Sequence, residues 1–475
     1  PRSTPCGTLF PYTTLPISAF DIDGREVVRQ RTPIKQLQDQ AAIPLHNTRL
    51  MPHHLIVRLV QGDQVLDVKR KDFAVMQPLP DFYSHTACPI QSGIIGYITA
   101  RQLRRAGFHG SYDGRSDEGV ILPQTGLHES LWAPNNLRIK PPSEKEPQAT
   151  YADPRYVESN ALDRALPYAE KNGARIDTYI LGDEQGVTYT RPQVADAERD
   201  AWREFLRKTY SGNLELLNKE FGSEYNSFDE IPVPDYNELG KADAVRKHLW
   251  MHFVEKLFAD TLHYVGERLV SADRDRKPEP YGLSGTTMSD MDMLHGFKLW
   301  TSYPNRTQNV AMRSFMSNDA IRANWWGGYM HSRRLGDRPI WDLLFKGGVN
   351  GSYYWSHGAE GIMSAERSYA EFFLDGQFSS MEEIHHRIGP LLRGSRVAAT
   401  GFGTYYSKMN EHIHSLDVRF GTPGASRDAV ISFSEKLGIP VWLHSDRSMT
   451  EQESLKRRNT RILFLGQAEA MPGKL

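Results

Sequence analysis

Asp177-Thr-Tyr-Ile-Leu-Gly-Asp183-Glu184-Gln-Gly186 is the stretch on which the reading of the whole chain turns. The apolar run Tyr179-Ile180-Leu181 has the look of a buried strand. Gly182 and then two adjacent carboxylates end it. Two acids side by side at the mouth of a buried strand repel each other, and burial raises the pKa of at least one. A barrel enzyme places its general acid at such a strand end. The competing reading is a surface turn in which Gly-Asp-Glu punctuates a strand. Local sequence weighs the two evenly, and the residues downstream shift the balance.

Those residues are helical. Trp202, Phe205 and Leu206 keep helical spacing, as do Leu214, Leu217 and Phe221, and Gly222 stops the second helix. From about residue 80 to 375 the chain alternates strand-like and helix-like pieces, which argues for a parallel α/β fold. Strands are expected at 108–112, 126–132, 179–184, 281–285, 297–300, 310–316 and 349–355. With one more near 72–90 they make an eight-stranded (β/α)8 TIM barrel, in which the strand leading to Glu184 is the fourth. A long helix is expected over 242–270, and others over 94–106, 162–172 and 381–392. A doubly wound sheet is the structural alternative, but no Gly-rich phosphate loop supports it.

Composition narrows the function. The chain has 475 residues, 39% hydrophobic, with 9 Trp and 21 Tyr, enough for large cores. Net charge is −1 without a basic block, so nucleic acid is an unsuitable partner. No apolar run approaches the roughly 20 residues that span a bilayer. Only Cys6 and Cys88 occur, which excludes a disulfide framework. No Cys/His spacing of a metal site is evident, no cofactor is called for, and His385-His386 reads as a polar helix-face pair. Pro1 at the start and Leu475 shortly after an apolar strand read as the cut ends of a longer protein, with the compartment not encoded.

The ordered string from Trp202 to Pro232 closely resembles the insert after the acid/base strand of family 42 glycoside hydrolases, the β-galactosidase-like members of the clan A barrels. There a helix is followed by a Tyr-Gly-x-Leu-x-x-Leu-Asn-x-x-Trp-Gly segment and a Ser-Phe-Asp-Glu-Ile turn. Tyr210, Leu214, Leu217, Asn218, Gly222 and Ser227 to Ile231 fit that pattern, and Phe221 stands where Trp is usual. Gly348-Val-Asn-Gly-Ser-Tyr-Tyr-Trp355 with Glu360 resembles the family's eighth strand. The resemblance implies a barrel over 79–380, preceded by a β-rich, partly sandwich-like region over 1–78. A truncated flavodoxin-like domain over 381–475 would follow, of the kind that assembles homo-oligomers. It implies an enzyme acting on an oligo- or polysaccharide, secreted or periplasmic, with Glu184 as general acid/base in a retaining mechanism. Trp355 would be the platform under the ring and Glu360 a hydroxyl acceptor. Glu129, Trp132, Asp183, Trp300 and Tyr303 would line the pocket at the strand ends.

The chain also departs from the family. Asn usually precedes the acid/base Glu, and here Asp183 does. The nucleophilic Glu of strand seven has no counterpart in Met312–Asn318, leaving Asp319 as the nearest carboxylate, with Asp290 and Asp292 behind it. Any of the three also suits a helix or turn cap. Adjacent Asp-Glu is, moreover, the pattern of β-N-acetylhexosaminidases whose substrate supplies its own nucleophile. A non-catalytic carbohydrate-binding barrel is a further alternative. Several carboxylates favour a neutral sugar, whereas Arg313 and His128 are positioned in sequence to neutralise a uronate or sulfate.

Overall fold

In the computed structural model the described residues are 13–21, 24–34, 42–43, 52–74, 83–86, 103, 107–111, 128–132, 150–163, 165–172, 176–183, 187–190, 194–273, 281–285, 294–327, 341, 344, 348–355, 383–414, 423–450, 455–456 and 458–466. The N-terminal strands β1 (Thr13–Asp21), β2 (Glu26–Pro33), β3 (Pro52–Gln61) and β4 (Gln64–Ala74) form an antiparallel sheet in the order β2-β1-β3-β4. A Gln-Gly-Asp turn joins β3 to β4, where Gln61 faces Gln64. Among the described residues this sheet has no facing partner of the kind a sandwich needs.

Eight parallel strands follow: β5 (Tyr83–Thr86), β6 (Gly110–Ser111), β7 (His128–Trp132), β8 (Ile176–Asp183), β9 (Tyr281–Ser284), β10 (Leu299–Ser302), β11 (Ile321–Gly327) and β12 (Gly351–Trp355). Each pairs with the next, and β12 pairs with β5, which closes the barrel. Side chains alternate across each strand. Tyr83, Ile180, Leu299, Ile321, Ala323, Trp325 and Tyr353 form the interior cluster. Their neighbours Tyr179, Leu181, Leu283 and Trp300 face outward and join a layer with Phe258, Leu262 and Val265.

The helices that cover the barrel are α1 (Ala165–Asn172), then α2 (Asp196–Thr209), α3 (Leu214–Phe221) and α4 (Ala244–Ala272) between β8 and β9, and α5 (Arg306–Phe315) between β10 and β11. The insert after β8 forms as its sequence predicts. Asn213 caps α3 by accepting the Leu216 N–H, and Gly222 ends it at φ 60° in the left-handed region. Asn218 holds the following turn: its Oδ1 accepts from the Ser223 hydroxyl and the Tyr225 N–H, and its Nδ2 donates to the Tyr225 carbonyl. Trp202, Leu206, Leu217 and Phe228 pack with Trp250 and Phe253 of α4 in a core of their own.

The structure corrects one strand. Val310–Met316, expected as strand seven, lies mostly in α5, where Asn305 caps the helix by accepting the Gln308 N–H and Thr307, Val310, Ala311 and Phe315 are buried. A short apolar run does not distinguish a helix from a buried strand. The cap and the spacing of the buried residues decide it. The seventh strand is β11, whose residues are Ile-Arg-Ala-Asn-Trp-Trp-Gly.

The C-terminal region contains β13 (Phe402–Tyr406), α6 (Lys408–His414), α7 (Pro423–Leu437), β14 (Trp442–Ser445) and β15 (Ile462–Phe464). Its strands form a parallel sheet in the order β14-β13-β15. It docks on the barrel helices through α6 against α4 and through α7 against α5. No described helix is long and apolar enough to cross a membrane.

Candidate functional site

The mouth of the barrel is organised by an irregularity in β8. Ile180 pairs with Gly282 and Asp183 with Ser284, so β8 carries one residue more than β9 over this interval. Gly182 takes φ 145° there, a conformation that side-chain-bearing residues rarely adopt. Bulges of this kind re-aim a side chain and recur beside active sites. The glycine between Leu181 and Asp183 therefore accommodates the extra residue while Asp183 stays paired with Ser284 at the C-terminal rim. Asp183 is the last residue of β8, and Glu184 follows directly in sequence but lies outside the described residues.

The same rim carries Ser284, Ser302, Trp325 and Tyr303. The Trp325 indole N–H donates to Ser284 Oγ at 3.1 Å, and its ring packs on Tyr353 with centroids 4.2 Å apart. Sequence reasoning misses Trp325 because it places strand seven too early in the chain. Tyr303, just past β10, is 36% exposed. Glu129 and Trp132 belong to β7 and Trp355 ends β12, so all three sit in strands of the barrel wall. Glu360, Asp290 and Asp292 lie outside the described residues.

Three expected positions fall elsewhere. Trp300 is 1% exposed in the layer between strands and helices, its indole N–H donating to the Gly285 carbonyl at 2.8 Å. It faces away from the barrel interior because its neighbour Leu299 faces in. Asp319 precedes β11, at the N-terminal end of the barrel and opposite the rim. It pairs with Lys298, which precedes β10, at 2.8 Å, and this contact with the Ser317 hydroxyl pushes its pKa down to about 2. Arg313 lies on α5, buried, with Nη2 donating to the Val441 carbonyl at 2.7 Å, so it cannot neutralise a group at the rim. His385 is likewise no surface residue. It is 1% exposed, with Nε2 3.2 Å from Ser352 Oγ and its ring edge-on to Phe108.

The structure also assembles a cluster that no short spacing announces. His85 of β5, His109 just before β6 and Asp177 of β8 are all buried, and one donor atom from each lies within 4.8 Å of the others. Asp177 Oδ2 is 2.7 Å from His85 Nε2 and 3.1 Å from His109 Nε2, while Oδ1 accepts from the Thr178 hydroxyl at 3.1 Å. The donor set is one a metal ion could use. The hydrogen bonds, however, assign a proton to the metal-facing nitrogen of His109. The Ser84 backbone N–H donates to Nδ1 at 3.0 Å, so neutral His109 carries its proton on Nε2 and gives it to Asp177. Burial alone raises the Asp177 pKa, but the two histidines outweigh it and hold the carboxyl well below the usual range. The cluster is a proton-bearing network that ties strands one, two and four together beneath the mouth.

Comparison with known proteins gives this geometry a context. Residues 140–332, the span from before α1 to just past β11, match the family 42 glycoside hydrolase model, described as beta-galactosidase. No curated protein matches the chain in sequence. The fold is similar to that of the beta-galactosidase from the psychrophilic Marinomonas ef1, with TM-score 0.60 and 14% identity over 82% of this chain and 73% of that one. It is similar to the Bacillus circulans sp. alkalophilus beta-galactosidase, with TM-score 0.59 and 13% identity over 82% and 68%. A catalytic mutant of a family 42 beta-galactosidase from G. stearothermophilus aligns with TM-score 0.55 and 13% identity over 78% and 66%.

Proposed function

We propose that this chain, a glycoside hydrolase of the family 42 type in residues 140–332, cleaves β-linked hexosides with Glu184 as general acid. The observation that carries the proposal is the bulged end of β8, which sets Asp183 at the C-terminal end of the fourth strand of a closed barrel, with Glu184 the next residue in the sequence. Glu184 would give its proton to the glycosidic oxygen as the bond to the anomeric carbon breaks. Trp325, Tyr303, Trp355, Glu129 and Trp132 would supply the walls, with Glu360 accepting from a substrate hydroxyl. The barrel of residues 79–380 would carry the chemistry, with the β-rich residues 1–78 and the C-terminal residues 381–475 serving support and assembly.

The nucleophile separates two routes. In the retaining route a second carboxylate attacks the anomeric carbon from roughly 5 Å across the site. Asp319 is no longer a candidate at the N-terminal end of the barrel, and β11 contains no carboxylate at all. Asp290 or Asp292 would have to serve. The composition of β11 favours a second reading, in which the acetamido oxygen of a 2-acetamido sugar attacks its own anomeric carbon while Asp183 orients the acetamido group. Aryl β-galactoside, β-glucoside and 2-acetamido-β-glucoside separate the routes. Cleavage of the plain hexosides supports the retaining route, and cleavage of the acetamido substrate alone supports the second. Glu184→Gln should lower turnover by about 10²-fold or more on whichever substrate is cleaved, with the unfolding midpoint unchanged. Near-normal turnover in that variant removes the proposal.

A further inference from the structure

A cavity of about 810 Å³ lies between the N-terminal face of the barrel and the C-terminal sheet, lined by the end of α5, the turn into β11, residues 395–399 and β14. Among the described residues five arginines line it, Arg313, Arg322, Arg396, Arg447 and Arg458, and no lining residue carries a carboxylate. Its volume falls in the range of small-molecule sites. It is separate from the substrate site proposed above. Arg322 is the second residue of β11 and Gly327 its last, and at the rise of an extended strand that puts roughly 17 Å between them.

Two of these arginines are short of acceptors. Arg313 is 6% exposed; its Nη2 is satisfied by the Val441 carbonyl, but its Nε is buried with no acceptor among the described residues. Arg322 likewise has a buried Nε with no acceptor among the described residues. Arg458 donates to the Ser314 carbonyl and has its guanidinium carbon 3.8 Å from the Trp442 ring centroid, and that of Arg313 is 5.4 Å from the same ring. The carboxylate that most offsets Arg313 is Glu435, which already pairs with Arg306 at 2.9 Å. Burial, followed by the like charges of Arg322 and Arg458, lowers the Arg313 pKa to about 10, so the group stays charged at neutral pH and the crowding is real. Buried charges persist in proteins when paired, and guanidinium forks match the oxygens of a tetrahedral oxyanion in pairs.

We infer that this cavity is a binding site for a phosphate or sulfate group, held by Arg313 and Arg322 at its floor and by Arg396 and Arg447 at its rim. The group enters either as the free anion or as the anionic end of an ester. The space beyond one tetrahedral anion, with Trp442 on its wall, admits the body of a sugar phosphate or sugar sulfate.

The test uses the full chain and reads thermal midpoints and calorimetric affinity, neither of which depends on glycosidase activity. Inorganic phosphate and sulfate should raise the midpoint saturably beyond chloride at equal ionic strength, since a ligand that binds only the folded state stabilises it. The double variant Arg396→Gln/Arg447→Gln, at two exposed positions, should weaken phosphate binding by about tenfold or more, with an unchanged midpoint in chloride. That factor corresponds to the loss of two rim contacts. Arg313→Gln should abolish the response, and the rim variant keeps the test decisive if this buried change fails to fold. Glucose 6-phosphate and galactose 6-sulfate distinguish the sources. Tighter binding than the inorganic ions assigns the site to an ester, and equal binding assigns it to the free anion. Equal shifts in phosphate and chloride, or full phosphate affinity in the rim variant, overturn the inference.

Discussion

Replacing Asp177 with Asn probes the buried network beneath the barrel mouth. The carboxylate accepts three hydrogen bonds, from His85, His109 and Thr178, at 2.7, 3.1 and 3.1 Å. An amide has one acceptor oxygen and an NH2 that only donates. His109 cannot adapt by moving its proton, because its Nδ1 already receives the Ser84 N–H. The two histidines share Oδ2, so the amide oxygen keeps both, and the NH2 faces the Thr178 hydroxyl, whose proton loses its acceptor. The substitution converts two charge-assisted bonds, about 1.5–3 kcal/mol each, into neutral ones of about 0.5–1.5, and leaves a buried donor unmatched at about 1–3 kcal/mol. Together these give a destabilisation of about 3–6 kcal/mol, which overlaps the range of about 3–5 kcal/mol found when one partner of a buried ionic contact is removed. Urea unfolding should show the midpoint falling with an unchanged slope. The sign of the pH dependence follows from the depressed pKa of Asp177. The wild-type advantage is fully present above the unfolded carboxylate pKa, about 3.9, and shrinks only as pH falls below it. A loss under about 1 kcal/mol at neutral pH would refute the reasoning, since it would mean that the histidines rearrange around an amide at almost no cost.

Adding EDTA should leave the same urea midpoint unmoved, because the proton on His109 Nε2 occupies the direction a metal would need; a fall of more than about 1 kcal/mol would show a metal in the cluster. Asp319→Asn should leave kcat within about twofold and cost at most about 1 kcal/mol, since its pairing with Lys298 is an exposed ion pair; a large loss of turnover would return Asp319 to the site. Gly282→Ala should unfold the barrel or destabilise it by more than about 3 kcal/mol, well beyond ordinary overpacking, because the added Cβ would fall 1.6 Å from the Leu299 carbonyl oxygen, a backbone atom; normal expression with an unchanged midpoint would contradict the pairing of β9 with β10. Where α6 meets α4, His248 contacts His412 at 3.0 Å and His412 contacts Glu255 at 3.3 Å, with Lys408, Tyr189 and His252 around them. Burial lowers His248 to about 2 and His412 well below its usual value, so stability is present above the unfolded histidine pKa near 6.5 and is lost as pH falls below it. Each neutral histidine contributes about 1.4 kcal/mol per pH unit, and the raised Glu255 offsets part of this by taking up a proton in the folded state. A thermal midpoint that stays flat from pH 7 to 5 would count against this interface.

Local sequence determined the elements whose signals are local. The β8 run with its Gly-Asp-Glu end, the two helices of the insert and the stop at Gly222 were legible because strand burial, helical spacing and a left-handed cap each act within a few residues. The parallel α/β class followed from their alternation, and the family resemblance lay in the same stretch that the family model matches. Tertiary structure decided the rest. Val310–Phe315 and Ile321–Trp326 are both short and largely apolar, and closure of the barrel between β10 and β12 fixes the second as the strand, in agreement with the cap and burial spacing of the first. That choice moved Asp319 to the opposite end of the molecule and brought Trp325 into the barrel interior near the rim. Whether Trp300 faces sugar or helix depended on a register of one residue, which a strand's period of two turns into opposite faces. The union of His85, His109 and Asp177, and the gathering of Arg313, Arg322 and Arg458 around one cavity, join residues far apart in the chain. Burial and mutual distance give those groups their chemistry, and both quantities exist only after the chain has closed on itself.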